Sequence, residues 1–337
     1  MRLLIFNPSN DMALASGKDE YVPTKTVQQM EHQYGMLPSI IADKDDIVLR
    51  HDELTKDKYR SLNIPPDIPI TICPWGWSKP LKNKLRRFGV PEEMLPSDSY
   101  LDTLRHFSSR EFWVEYSKAF GYHGIRLCNT IDEVPEYRPL ILKSLWSSSG
   151  RGNHIIGREG IEGREEALLS HLKFPLVADI FYNKVVDFAM EFSVMANRVE
   201  YLGLSVFKAH KEGRYEYNYI DSQDNLTRMI PAAPSLLTSI KERHQQLLSQ
   251  FLVGHYQGPV GIDMMVTENN VQGFEGSKVQ EFEGSAFDWL RNQIHPCVEL
   301  NLRMNMGILA IEIYNRYGTE MKTLALNSDF SNLIGKA

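Results

Sequence analysis

The feature that most constrains the fold is a change of rhythm about one third of the way along the chain. Up to Gly89, apolar runs of three to five residues (Leu3 to Phe6, Ile47 to Leu49, Ile68 to Ile72) alternate with helical segments. Strand–helix alternation of this kind predicts an open, mostly parallel sheet with helices on its faces. Ser78 and Ser109 stand where helix N-caps belong, Pro80 suits a first turn, and Gly89 and Gly121 suit helix ends. Beyond that point the rhythm is lost. Residues 186 to 207 read as two long strands joined at Asn197-Arg198, and a long amphipathic helix is expected from Pro234 to His255. Two further strands follow at 259–266 and 294–303, and a last helix from Asn305 to Tyr317. The second part is α+β, built from antiparallel pairs.

Side chains alternate across a strand, so GPVGIDMMV places Gly261, Asp263 and Met265 on one face and Val260, Ile262, Met264 and Val266 on the other. Asp263 is then a carboxylate on an otherwise apolar strand, which is costly unless it is paired or metal-bound. In IHPCVELNLR the same rule groups His295, Cys297, Glu299, Asn301 and Arg303. Adjacent strands offering Asp263, Glu299 and Asn301 would supply three hard oxygen ligands. Mg²⁺ suits them, because it takes one or two carboxylates and completes its shell with water and phosphate; Mn²⁺ is the alternative. Arg303, one step further along, is placed to meet a phosphate or a developing anion.

These residues carry a resemblance. Lys143 with SSSGRG, EFSV at 191 to 194, GPVGIDMMV and HPCVELNLRMNMG, in that order, resemble the ATP-grasp superfamily over roughly residues 100 to 320. The resemblance implies a Rossmann-like front domain (1–108), an ATP-grasp small subdomain with a glycine-rich lid (109–182) and a C-terminal subdomain with the metal site (183–337). It implies an ATP- and Mg²⁺-dependent ligase that joins a carboxylate to an amine or thiol through an acylphosphate. Phosphate transfer with release of the phosphorylated product, or nucleotide binding without turnover, are the other readings.

By the same resemblance Lys143 reaches the nucleotide, acting in catalysis together with Arg303. Ser148, Ser149, Gly150, Arg151 and Gly152 form the lid, whose backbone N–H groups meet phosphate oxygens. Arg110 stands where the family often has a lysine. Asp179 and Ile180 form the hinge whose main chain contacts adenine. Glu191 matches the acid that binds the ribose, with Asp187 as its rival. Asp263, Glu299 and Asn301 match the metal ligands. The segment TENNVQGFEGSKVQEFEGSAFDWLRNQ is longer than the compact hairpin of many relatives.

Four other stretches remain open. FNPSND after the first strand offers Asn7, Ser9, Asn10 and Asp11 either to an acceptor substrate or to helix capping. CPWGW at 73–77 reads as a packed aromatic turn. FKAHKEGRYEYNY reads as a solvated hairpin or a substrate-closing loop. His295 is expected to stand behind the metal ligands and Cys297 to be inert packing.

Composition limits the partners. Lys and Arg number 37 against 43 Asp and Glu, a formal net charge of −6. That is the wrong sign for a nucleic-acid footprint. The three scattered cysteines show no zinc-like spacing and suit a reducing cytoplasm. No run approaches a membrane span. Oligomeric state and the acceptor are not legible.

Overall fold

The structure is a computed structural model, and it describes residues 1–63, 69–136, 139–147, 152–157, 169–210, 215–268 and 293–329. Three sheets organise these residues. The front sheet is parallel, with strands β1 (Arg2–Phe6), β2 (Ile47–Arg50) and β3 (Thr71–Pro74) in the order β2-β1-β3. Its strands are buried on both faces, with Leu3, Ile5, Leu49 and Ile72 in one core with Leu81, Leu85 and Phe88. That is why they read as continuous apolar runs.

Six helices belong to this part and its exit: α1 (Asn10–Ser16), α2 (Lys25–Gln33), α3 (Lys56–Ser61), α4 (Lys79–Phe88), α5 (Asp98–Phe107) and α6 (Arg110–Phe120). The third strand begins later than its apolar run suggests and enters the CPWGW turn directly. That turn is packed, with Trp75 7% exposed and edge-on to Phe6.

The second sheet is antiparallel, in the order β4-β7-β5-β6, from β4 (Ile125–Cys128), β5 (Leu140–Ser144), β6 (Asn153–Ile156) and β7 (Leu176–Ile180). The third has six strands in the order β12-β11-β8-β9-β10-β13. They are β8 (Lys184–Val194), β9 (Val199–Ala209), β10 (Tyr215–Tyr219), β11 (Gly258–Thr267), β12 (Ile294–Asn301) and β13 (Thr323–Leu324). The helix Pro234–Leu252 covers one face of this sheet. Its Leu237, Ile240, Leu247 and Leu248 share a core with Phe188, Met190, Phe192, Val260, Ile262 and Met264. Each such side chain contributes roughly 1.5–3 kcal/mol by leaving water. The opposite face of the sheet faces a cleft. The β9–β10 pairing makes FKAHKEGRYEYNY a hairpin, though Lys211 and Arg214 lie outside the described residues.

One irregularity in the third sheet matters for the site. Asp263 pairs with Glu299, yet Met265 pairs with His295, so β12 spends two extra residues opposite Met264. The extra residues lose ladder partners, and helices supply replacements. Trp113 of α6 donates its indole N–H to the Cys297 carbonyl at 3.0 Å. His244 Nε2 lies 3.0 Å from the Pro296 carbonyl, and its Nδ1 lies 2.9 Å from the Tyr116 hydroxyl. A carbonyl only accepts, so Nε2 carries the proton. Burial pushes the His244 imidazole down to about 3, which keeps it neutral.

Candidate functional site

Antiparallel pairing puts the chemistry of three strands on one face. Glu191 of β8 pairs with Gly261 of β11, which pairs with Asn301 of β12; Asp263 pairs with Ala189 and Glu299. Directly paired residues share a face, so Glu191, Asp263, Glu299 and Asn301 point the same way. All four line a cleft of about 280 Å³ with Ser205, Arg303, Asn305 and Ser147. Phe6, Pro8, Asp11 and Trp75 of the front part close its far side.

The acid row is short of cations. Asp263 accepts one hydrogen bond from the Asn301 amide at 3.2 Å. Burial, then the carboxylates of Glu299 and Glu191, push its carboxyl well above the usual range. Burial pushes Glu191 up to about 7, against hydrogen bonds from Asn305 (2.8 Å) and Ser205 (2.9 Å) and the charge of Arg303. Two glycines make room for it. A Cβ at Gly261 or at Gly307 would collide with the Glu191 carboxylate.

Among the described residues no group of three or more His, Cys, Asp and Glu side chains is arranged to hold a metal. The expected set, two carboxylates and one carboxamide, is a sparser one. It nevertheless fits Mg²⁺, since Asp263 is a half-buried acid facing a second acid, an arrangement that a cation relieves.

Three expected residues already have partners within the protein. Arg110, 7% exposed, donates to the Ser144 carbonyl (2.6 Å), to the Ser147 hydroxyl (2.8 Å) and to Glu299 (2.6 Å). It therefore ties the base of the SSSGRG loop to the acid row. Arg303 pairs with Asp11 at 2.9 Å and donates to Asn301 at 3.0 Å. Lys143 is 6% exposed, 3.0 Å from Asp179 and 4.4 Å from the centre of the Trp113 ring.

The hinge expectation for Asp179 is corrected. Its residue is paired on both edges, to Ile125 and to Ile141, so its main chain is occupied by the sheet. Its side chain accepts from Tyr122 (2.7 Å), Lys143 and His295. Burial alone would raise this carboxyl, but Lys143 and His295 hold it well below the usual range. His295 thus supports Asp179 rather than the metal ligands. Ile180 is the last residue of β7 and pairs with Leu140, and the link to β8 begins at Phe181. Cys297 is buried packing, as expected.

The ribose expectation for Glu191 also meets an obstacle, because Ser205, Asn305, Gly261 and Gly307 enclose its carboxylate. Its rival Asp187 lies four residues nearer the 181–183 link and pairs with Lys184 at 2.5 Å. Ser148, Ser149, Gly150 and Arg151 lie outside the described residues; Gly152 is described, at φ +85° with its carbonyl accepting from the Ser144 N–H. Sequence reasoning missed Ser205, Asn305 and Tyr122. Only Asn305 had a signal, as the residue before the last helix, where it also caps the Ile308 N–H.

FNPSND serves neither role expected of it in full. Asn7 exchanges hydrogen bonds with Gly76, Ser9 donates to Glu31, and Asp11 holds Arg303. Helix α1 starts inside the motif, and the Ser9 side chain does not cap it.

No protein-family model matches the chain, and no curated protein matches it in sequence. Solved structures do. Part of pyruvate carboxylase from Rhizobium etli superimposes with a TM-score of 0.50 at 11% identity, covering 93% of this chain and 27% of that one. The chain has the ATP-grasp fold. Other solved structures superimpose less closely. L-amino acid ligase from Bacillus licheniformis gives a TM-score of 0.46 at 11% identity, covering 92% of this chain and 68% of that one. Phosphoribosylamine–glycine ligase from Thermotoga maritima gives 0.48 at 14%, covering 94% and 72%. At such identities the ATP-grasp likeness is one of fold. Among the described residues no helix is long and apolar enough to cross a membrane.

Proposed function

We propose that this chain is an ATP- and Mg²⁺-dependent ligase that joins a carboxylate to an amine or thiol through an acylphosphate. The observation that carries this reading is the cleft on the third sheet. Asp263, Glu299 and Asn301 project there from paired strands, and the base of the SSSGRG loop is tied to Glu299 through Arg110. Asp263, Glu299 and Asn301 would hold the cation, which neutralises phosphate charge when bound.

Arg303 and Arg110 are the nearest fixed positive charges to that position. Each would exchange a protein carboxylate for phosphate oxygen, since guanidinium serves both geometrically. Lys143 would reach the nucleotide by leaving Asp179, and Ser148 to Gly152 would close over it. We assign the ribose contact to Asp187 and the adenine contact to the main chain from Ile180 onward. The division at 108 and 182 into a Rossmann-like front domain and two ATP-grasp subdomains belongs to the same proposal.

The test is turnover. The protein with ATP, Mg²⁺ and pools of amino acids or peptides is expected to release ADP and free phosphate together. Lys143→Ala and Glu299→Ala should each abolish this. Unchanged turnover in both variants sinks the reading, and ADP without free phosphate redirects it to phosphotransfer.

A further inference from the structure

The front sheet has its own cavity, which the nucleotide reading does not use. In the order β2-β1-β3 the chain leaves β1 toward β2 and returns on the other side to β3. Open α/β sheets bind ligands outside the carboxyl ends of their strands at such a reversal. A cavity of about 470 Å³ lies there, a size common for small-molecule sites. Its walls follow all three strands: Ser9 after β1, His51 after β2, and Ser78 at the start of α4 after β3.

The charges in the cavity are incompletely matched. The Lys84 ammonium is partly buried, and its one hydrogen-bond partner among the described residues is His51 Nδ1 at 3.2 Å. Among the described residues no carboxylate lies within salt-bridge distance of it. Burial lowers its pKa and pushes the His51 imidazole down to about 4, so His51 offers no compensating charge of either sign. Ser78 is 1% exposed and lines the cavity, yet its hydroxyl neither caps α4 nor bonds to any described group. Helix α4 is ten residues long and presents its positive N-terminal end beside that hydroxyl. Glu31, 4% exposed, accepts from Ser9 and lies 3.5 Å from the same His51 Nδ1 that Lys84 approaches.

We propose that this cavity binds a small amino- or hydroxycarboxylic acid. Its carboxylate lies between the Lys84 ammonium, the Ser78 hydroxyl and the α4 N-terminus, and its amine or hydroxyl donates to Glu31. A singly charged carboxylate fits better than phosphate for two reasons. Pro80, the second residue of α4, removes one N–H donor, and the Glu31 carboxyl in the same cavity disfavours a dianion. The occupant would touch Asn7 and Ser9, while Pro8 and Asp11 of the same turn face the acid-row cleft.

Calorimetric titration of the full chain without nucleotide tests this, with L-glutamate, L-malate and inorganic phosphate as probes. At least one of the two acids should bind at millimolar concentration or tighter, and phosphate should not. Lys84→Met should weaken binding at least tenfold and Ser78→Ala several-fold. Failure of both acids to bind, binding of phosphate alone, or equal affinity in Lys84→Met and Ser78→Ala would overturn the proposal. Because no nucleotide is present, the result stands apart from whether the chain turns over ATP.

Discussion

Two clusters of charge, one around Asp179 and one around Asp263, are solved in opposite ways. Around Asp179, every charge has its complement: Lys143 at 3.0 Å, Tyr122 at 2.7 Å and His295 at 3.3 Å. The carboxyl is held well below its ordinary range although it is fully enclosed. Around Asp263, burial and the neighbouring acids outweigh the charge of Arg303, and two carboxyls are pushed up rather than down. A buried acid met by cations of its own fold stays ionised, whereas acids that face one another resist ionising together.

Breaking the satisfied cluster should have the largest effect. Lys143→Met leaves Asp179 enclosed with one cation fewer, and removing one partner of a buried pair costs about 3–5 kcal/mol. Urea unfolding should register this. The double variant with Asp179→Asn should recover much of the loss, because the uncompensated charge disappears with its partner. A loss under about 1 kcal/mol in Lys143→Met would show that the pair is not the support described.

The acid row should respond with the opposite sign. Glu191 has a folded-state pKa of about 7 against an ordinary 4.5. The folded protein therefore holds a proton that the unfolded chain has released, and stability is lost as pH rises from about 4.5 to 7. Glu191→Gln keeps a hydrogen-bonding side chain and removes that loss, a gain of up to about 3 kcal/mol at pH 8. Thermal melts across pH 4 to 8 should show a flatter profile for the variant. Asp263→Asn should likewise stabilise the ligand-free protein, while eliminating the rise in Tm that MgATP gives the native chain. A variant that is destabilised, or one that keeps the MgATP response, would contradict the contrast.

The legible part of this site was the part governed by local periodicity. Two-residue alternation placed Asp263, Glu299 and Asn301 together, and all three lie in regular register to one side of the β12 bulge. Helix boundaries at Ser109, Gly121 and Asn305 followed from capping chemistry that is written in adjacent residues. What stayed hidden were pairings across long separations. Nothing near Arg110 announces Glu299, 189 positions away, and nothing near Asp11 announces Arg303. The role of Asp179 was misread for the same reason. A strand-end acid looks available in sequence, and only the sheet order shows that β7 is an inner strand with its carboxylate already bonded. Helix capping, one of the two readings of FNPSND, is met only in part, because α1 starts there but the Ser9 hydroxyl goes to Glu31, 22 residues away, instead of to the helix.

The smallest expected effect lies where the two kinds of cluster meet the front sheet. Asp11 and Arg303 are each about one quarter exposed at the side chain, and they pair at 2.9 Å. Partial exposure limits such a pair to about 1 kcal/mol, since solvent screens it and Arg303 keeps its hydrogen bonds to Asn301 and to the Met304 carbonyl. Asp11→Asn should therefore shift Tm by only a few degrees. Its more telling readout is nucleotide affinity. If Asp11 occupies the guanidinium in place of phosphate, releasing it should leave ATP binding equal or tighter, and the change should shrink at high salt. A marked loss of ATP affinity would mean instead that Asp11 aims Arg303 at the phosphates, and the front turn would then belong to the nucleotide site itself.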